Sequence, residues 1–267
     1  MKNETYMPIK TAIRDFLCTY IKKHGNKLVD EMHIKATKSD MISDLMNGIL
    51  DEEMDVVLGY SRYDNRNKDT KNIRNGHFVK YIHTSAGDIK INMPRDRQGK
   101  FEPVIIKKYQ NSINYGMEKK LISLYAENLS DKELEDQVRG LYEEEISRQM
   151  ADSIKEKVRS VAGKWQQRPL REVYAIAFFD SISYYMKQEG AAPKRTVYLL
   201  YGITLNGCNE LLGIYIKKED ELQFWISILE RLKNRGVKDI LISCTKAPDK
   251  FVRAIDEVYG EKSRIQP

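Results

Sequence analysis

The hydrophobic period of this chain changes once, at Arg168-Pro169-Leu170, and that change limits the fold more than any other feature. Past it, residues 173–179 form an unbroken apolar run that ends in Asp180. Residues 196–203 and 211–216 are two more runs rich in Val, Ile, Leu and Tyr, and all three read as buried strands. Residues 219–234 instead set Leu222, Phe224, Trp225, Ile228, Leu229 and Leu232 at helical spacing, with Gly236 as the stop. A strand at 237–244 and a helix at 250–259 follow. The order strand, strand, strand, helix, strand predicts a mixed α/β sheet whose fourth strand lies parallel to its first, because a helix is the usual crossover between parallel strands.

Before the switch the chain reads differently. Residues 1–57 are helical in pattern, with Ile42, Leu45, Met46, Ile49, Leu50, Met54, Val57 and Leu58 as the apolar set and Ser39 or Asp40 as N-cap. Residues 59–76 are Arg, Asn, Asp, Lys and Gly with little that is apolar, the composition of an exposed loop that orders on binding. Two alternating runs, 78–84 and 88–93, joined by Ser85-Ala86-Gly87, predict a hairpin closed by Pro94 and Pro103. Three helices are expected at 117–128, 131–141 and 147–162, the second started by a capping box of Ser130 and Glu133. Three short helices with tight turns suit a helix-turn-helix, whose last helix would enter a major groove. They also suit a small bundle or linker, and pattern alone favours that reading. Glu143, Glu144 and Glu145 stand just before the would-be recognition helix and repel phosphate.

Charge is spread unevenly. Residues 58–120 hold 14 Lys and Arg against 6 Asp and Glu, a net +8, so the rest of the chain sums to −2 of the overall +6. A local basic field of this kind is either a solvated surface or an electrostatic footprint for nucleic acid. The longest apolar run, 173–179, is far short of the ~20 residues that cross a bilayer, so no spanning helix is expected. The first ten residues are too polar for a secretory signal, and three cysteines far apart (Cys18, Cys208, Cys244) offer neither a disulfide framework nor zinc spacing. A reduced, cytoplasmic protein is the expectation. None of His24, His33, His77 and His83 has metal-ligand spacing, no glycine-rich phosphate loop is present, and Cys208 in a hairpin turn lacks a partner base.

In a sheet of the expected kind, ligands gather at the carboxyl ends of strands, which makes Asp180 the best-placed ionisable group. Aspartate at a strand end is also a common turn former or helix cap. Two-metal phosphoryl transfer needs further carboxylates. The second should follow the strand at 237–244, where the sequence is Cys244-Thr245-Lys246-Ala247-Pro248-Asp249, with no acid directly after it.

Segments along residues 40–260 together resemble the Mutator-type transposases of bacterial insertion sequences. They are Leu58-Gly59-Tyr60, Arg74-Asn75-Gly76, Met93-Pro94-Arg95-Asp96-Arg97 with Gly99 and Phe101-Glu102-Pro103, Lys108-Tyr109-Gln110, Ile122-Ser123-Leu124-Tyr125-Ala126 and Leu141-Tyr142. Trp165-Gln166, Arg168-Pro169-Leu170, Val173-Tyr174, Phe179-Asp180, Tyr198 and Gly202-Ile203 continue the likeness. Glu210-Leu211-Leu212-Gly213, Phe224-Trp225, Leu232-Lys233-Asn234-Arg235-Gly236-Val237 and Asp239-Ile240-Leu241-Ile242 complete it.

The resemblance implies an N-terminal DNA-binding region with a helix-turn-helix, followed by an RNase H-like domain that uses two aspartates, a glutamate and Mg²⁺ to cut DNA and join its ends. The expected division is a helical region at 1–57, a basic loop and hairpin at 58–116, a helix-turn-helix-like region at 117–168 and an incomplete RNase H-like sheet at 169–267, an α+β or α/β class. Asp180 matches the first aspartate. The second falls on Lys246, and the sequence stops near residue 267, before the region that carries the glutamate, so the chain is expected to be truncated and catalytically inactive, with Lys246 pairing with Asp180 in place of the ion and DNA binding, at most, as its remaining activity. Mg²⁺ is the family's cofactor, none is expected in this chain, and Asp180 is the ligand for it only if a metal binds. DNA at insertion-sequence terminal repeats, a second copy of the chain, or an intact transposase with which it interferes are the implied partners. Arg62, Arg66, Arg74, Asn75, Lys80, Arg95, Arg97, Lys107, Lys108 and Arg148 are the expected DNA-contacting residues. The competing expectation is an active Mg²⁺-dependent transposase or nuclease, completed by a longer chain or a partner subunit.

Overall fold

The computed structural model describes residues 34–62, 70–127, 129–142, 146–182, 197–216, 221–245, 248–260 and 265–266, which form two compact units divided near Gln167. The unit over residues 35–166 is built around α1 (Ile34–Leu58). Met41, Ile42, Leu45, Met46, Ile49, Leu50 and Met54 are each at most 2% exposed, so the apolar stripe read from sequence is a buried axis. Where α1 meets α4 (Arg148–Gln166), Gly48 removes a side chain. A Cβ there would already be in van der Waals contact with Val161 at 3.4 Å, and Glu52 and Lys157 pair at 3.7 Å beside it.

β1 (Arg74–Thr84) and β2 (Gly87–Asp96) make an antiparallel ribbon turned by Ser85 and Ala86, with Gly87 at φ +116°. The tip is pinned to α2 (Tyr115–Ser123), because buried Glu118 accepts the Ser85 amide at 2.6 Å and the Ser85 hydroxyl. Gly76, at φ +70°, occupies the bulge that shifts the register between Arg74 and His77. Pro94 does not close the hairpin as expected: it lies inside β2, opposite His77. Asn92 donates outward to Asn47 Oδ1 (2.8 Å) and Lys90 O accepts outward from Ser43 (2.6 Å), so Pro94, two residues on, has its missing N–H on that outer side and no bond to β1 is lost.

The three expected helices are present as α2, α3 (Asp131–Arg139) and α4. Ser130 and Glu133 form the expected capping box, with Glu133 Oε2 accepting the Ser130 amide at 2.8 Å. Tyr125 ties the unit together. Its hydroxyl donates to Met41 O (2.8 Å), its carbonyl accepts from Gln166 (2.6 Å), and its ring meets Trp165 edge-on at 5.5 Å.

The second unit is a five-stranded sheet in the order β5-β4-β3-β6-β7: β3 (Val173–Ile182), β4 (Val197–Thr204), β5 (Asn209–Ile216), β6 (Asp239–Thr245) and β7 (Ile265–Gln266). β3, β4 and β5 are antiparallel neighbours, while β6 runs parallel to β3 after the crossover α5 (Glu221–Asn234), as the element order predicts. With α6 (Pro248–Tyr259), α5 packs aromatic side chains on the sheet: Phe179 and Phe251 lie 4.4 Å apart, and Trp225 is 5.2 Å from Phe251. The units together make an α+β chain, and among the described residues no helix is long and apolar enough to cross a membrane.

Candidate nucleic-acid interface and strand-end acid

Alternation along the ribbon separates its two faces. Ile82, Ile89, Ile91 and Met93 are buried on one side, whereas Val79, Tyr81 and His83 on β1 and Lys90 and Asn92 on β2 are exposed on the other. Residues 107–113 run beside β1. Lys80 Nζ donates to the carbonyls of Lys107 (3.0 Å) and Lys108 (2.9 Å), the His83 amide donates to Asn111 O (2.8 Å), and His83 O accepts from the Ile113 amide (3.1 Å). Lys107, Lys108 and Tyr109 are thereby held along that flank, exposed, with Lys108 Nζ 5.6 Å from the Tyr109 ring centre. Arg95 is exposed next to Pro94 and sits 5.9 Å from the Phe78 ring centre.

Asp96 shapes the end of this ribbon. Its carboxylate, 5% exposed, accepts from Asn72 Nδ2 (2.6 Å), the Lys100 amide (2.9 Å) and the Phe101 amide (3.1 Å). Burial alone would raise its pKa, but these hydrogen bonds outweigh that and hold it down at about 2. The loop so closed leaves Arg97 and Lys100 exposed, and the Arg97 amide donates to Ile73 O at 2.7 Å. Sequence reasoning placed Asp96 in a motif without giving it this task. It also passed over Tyr81, although a large aromatic residue at an outward position of an alternating strand was a readable signal, and over Phe78 and Tyr109, whose exposure no strand pattern marks.

The expected DNA-contacting residues differ in exposure. Asn75, Arg95, Arg97, Lys107, Lys108 and Arg148 are exposed, Arg148 as the first residue of α4. Arg62 is half exposed and 3.9 Å from Asp51. Lys80 spends its ammonium on the two carbonyls above, and burial lowers its pKa. Arg74 forms an ion pair with Asp55 and donates to Asp51 O at 3.4 Å. Burial pushes its pKa down, opposed by Asp51 and Glu52. Arg66 lies outside the described residues. Along α4, Lys155 pairs with Asp152 (3.2 Å), Lys157 with Glu52, and Arg159 with Glu156 (2.7 Å) and Asp131 (2.5 Å), so much of that helix's positive charge meets acids.

In the second unit, β3 continues past the point where sequence ended it. Asp180 is opposite Leu199, and pairing runs on to Ile182 against Val197 because β4 extends that far. The parallel contact with β6 stops earlier, at Phe179 opposite Thr245. Asp180 is therefore an intra-strand residue just beyond the last β3–β6 pair. Its side chain, Lys246, and the expected pairing between them lie outside what is described. Among the described residues no three of His, Cys, Asp and Glu gather to hold a metal ion. The last described residues of β6, Cys244 and Thr245, are not acids, and Asp249 is exposed in the first turn of α6.

At the opposite end of β3, segments far apart in sequence are clasped together. Arg235 Nε donates to Arg168 O (2.9 Å) and its Nη1 to Leu212 O (2.5 Å), Arg168 donates to Leu211 O, and the Leu170 amide donates to Arg235 O (2.8 Å). Tyr174 donates to Glu210 at 2.7 Å, and Arg168 lies 3.9 Å from the same carboxylate. Burial, with Arg235 beside it, brings the Arg168 pKa down to about 10 against the pull of Glu210.

Comparison with known proteins places these features in a family. The chain matches the family described as Transposase, Mutator family, over residues 22–266. It is similar to the transposase for insertion sequence element ISRM3 of Rhizobium meliloti (strain 1021), 31% identical over 222 residues, which is 83% of this chain and 54% of the relative. It is 30% identical over 217 residues to the probable transposase for insertion sequence element ISRM3-like of Sinorhizobium fredii (strain NBRC 101917 / NGR234), covering 81% of this chain and 52% of that one. The transposase for insertion sequence element IS256 in transposon Tn4001 of Staphylococcus aureus is 22% identical over 225 residues, 84% of this chain and 57% of its own length. The chain spans about half the length of the curated relatives it matches. It belongs to the Mutator family of transposases.

Proposed function

We propose that this chain is a DNA-binding member of the family that engages insertion-sequence ends and does not itself cut them. The observation that carries the binding reading is the ribbon flank: Arg95, Arg97, Lys100, Lys107 and Lys108 stand exposed in the segment whose net charge is +8, while the neighbouring Arg74 and Lys80 are tied to protein groups. Helices α2 to α4 serve as a helix-turn-helix-like support, and the acid pairing along α4 favours the ribbon over that helix as the main phosphate contact. Phosphate contacts of this kind bind without reading sequence and weaken with salt.

The second unit is read as RNase H-like. Its support is the mixed sheet, in which the strand carrying Asp180 neighbours the parallel strand that leads to residue 246. With Lys246 where the family places an acid, a cation stands where a metal ligand is required, and divalent ions are left too little negative charge. A DNA-bound chain of this sort interferes with an intact transposase by occupying its ends. The test is cleavage of an insertion-sequence end by the purified chain in Mg²⁺. No product is expected, whereas products abolished by Asp180→Ala would establish instead the active transposase completed in another way.

A further inference from the structure

We propose that the ribbon flank takes DNA through unpaired bases, with Tyr81 and Tyr109 as stacking platforms, an inference that rests on the DNA-binding reading and narrows it to single-stranded or unwound DNA. Tyr81 is 61% exposed and Tyr109 88%, beside Val79 at 47% and Phe78 at 43%. Large aromatic side chains this exposed on an ordered ribbon and its strap are candidates for a binding use. Val79 and Tyr81 share one face of β1, Phe78 lies on the alternate face, and Tyr109 is on the segment that Lys80 and His83 fasten to the strand, so the positions of the two tyrosines are fixed before any ligand arrives.

The chemistry around them selects the occupant. Lys108 stands by the Tyr109 ring, and exposed Lys90 is the cross-strand partner of Tyr81 on the same ribbon face, so each tyrosine has a cation beside it. Rings that offer π faces, alternating with cations that meet phosphates, match a single strand, whose bases are free to stack while its backbone follows the positive charge. Duplex DNA keeps its bases stacked internally and presents phosphates first, so it would engage the lysines and arginines and leave the tyrosines exposed.

The experiment is fluorescence anisotropy with the full chain and a labelled 20-nucleotide single strand, the corresponding duplex, and the duplex with an unpaired 3′ tail, across a salt titration. The single strand and the tailed duplex are expected to bind more tightly than the blunt duplex. Tyr81→Ala and Tyr109→Ala should each weaken single-strand binding at least about fivefold while changing duplex binding less than about twofold. Tyr81→Phe should retain the affinity, and Lys108→Gln should lower the single-strand salt slope by about 0.7. Equal binding to all three DNAs, untouched by the tyrosine variants, overturns the proposal while DNA binding stands. No binding to any of them removes the DNA-binding reading as well. A concentration-dependent dimer in sedimentation that Tyr81→Ala abolishes would assign the patch to a second copy and overturn the proposal.

Discussion

The Tyr142 hydroxyl donates to the Glu53 carboxylate at 2.9 Å, joining positions 89 residues apart inside the helical unit. Glu53 is fully buried on α1 and also accepts from the amides of Val104 (2.9 Å) and Ile105 (3.0 Å), so one carboxylate gathers α1, the strap after the ribbon and the turn after α3. Replacing it with alanine leaves the buried Tyr142 hydroxyl and Ile105 amide, and the part-buried Val104 amide, without this acceptor. A loss of about 3 kcal/mol or more is expected in the denaturant midpoint, against about 1–2 kcal/mol for Tyr142→Phe, and the double variant should fall short of the sum.

Glu53 and Asp96 should respond to pH with opposite signs. Burial raises the Glu53 pKa against its hydrogen bonds from Val104, Tyr142 and Ile105. A carboxyl that holds its proton more tightly when folded adds stability in the protonated state, and that contribution fades as pH rises through its folded value. Glu53→Gln should flatten this part of a plot of unfolding midpoint against pH.

Asp96, held at about 2, contributes stability that is fully present above its ordinary value of 3.8 and lost as pH falls towards 2. Asp96→Asn keeps the shape but places an amide against the backbone donors of Lys100 and Phe101. About 1–3 kcal/mol should be lost at pH 7, and the difference from the parent should narrow in acid.

Arg74 and Arg95 should separate in experiment although both are basic residues of one ribbon. Arg74→Ala breaks the pairing with Asp55 and should lower the melting temperature. Arg95→Ala should leave melting unchanged and reduce the duplex-DNA salt slope by about 0.9.

Gly202→Ala tests the sheet. A Cβ at Gly202 would stand 2.5 Å from Tyr174 Cδ1 and 3.0 Å from Leu212, inside a packed core. A cost of about 1–3 kcal/mol is expected from calorimetry, without any change in DNA binding.

Much of the architecture was legible because it rests on local rules. The capping box at Ser130, the hairpin through Ser85, and the crossover that makes β6 parallel to β3 all follow from short patterns of residue type. Misplaced features depended on partners distant in sequence. Pro94 stays inside β2 because Ser43 and Asn47 take up the strand's outer side, and β3 outruns its apolar stretch because β4 pairs with it as far as Ile182. Composition marked the ribbon as basic, but it could not foresee that Arg74 and Lys80 would be occupied by Asp55 and by the carbonyls of Lys107 and Lys108. The position of Asp180 in the first strand was readable, whereas the side-chain surroundings that would define a site there were not.

The clasp of Arg168, Glu210 and Arg235 sits at the start of β3, and Asp180 is seven residues beyond Val173, roughly 23 Å at ~3.3 Å per residue. The fastening of β3 thus lies remote from Asp180 on the same strand. Stability and any chemistry at the sheet's far edge are therefore separable, and a substitution at Lys246 is expected to leave the clasp and the melting temperature unchanged.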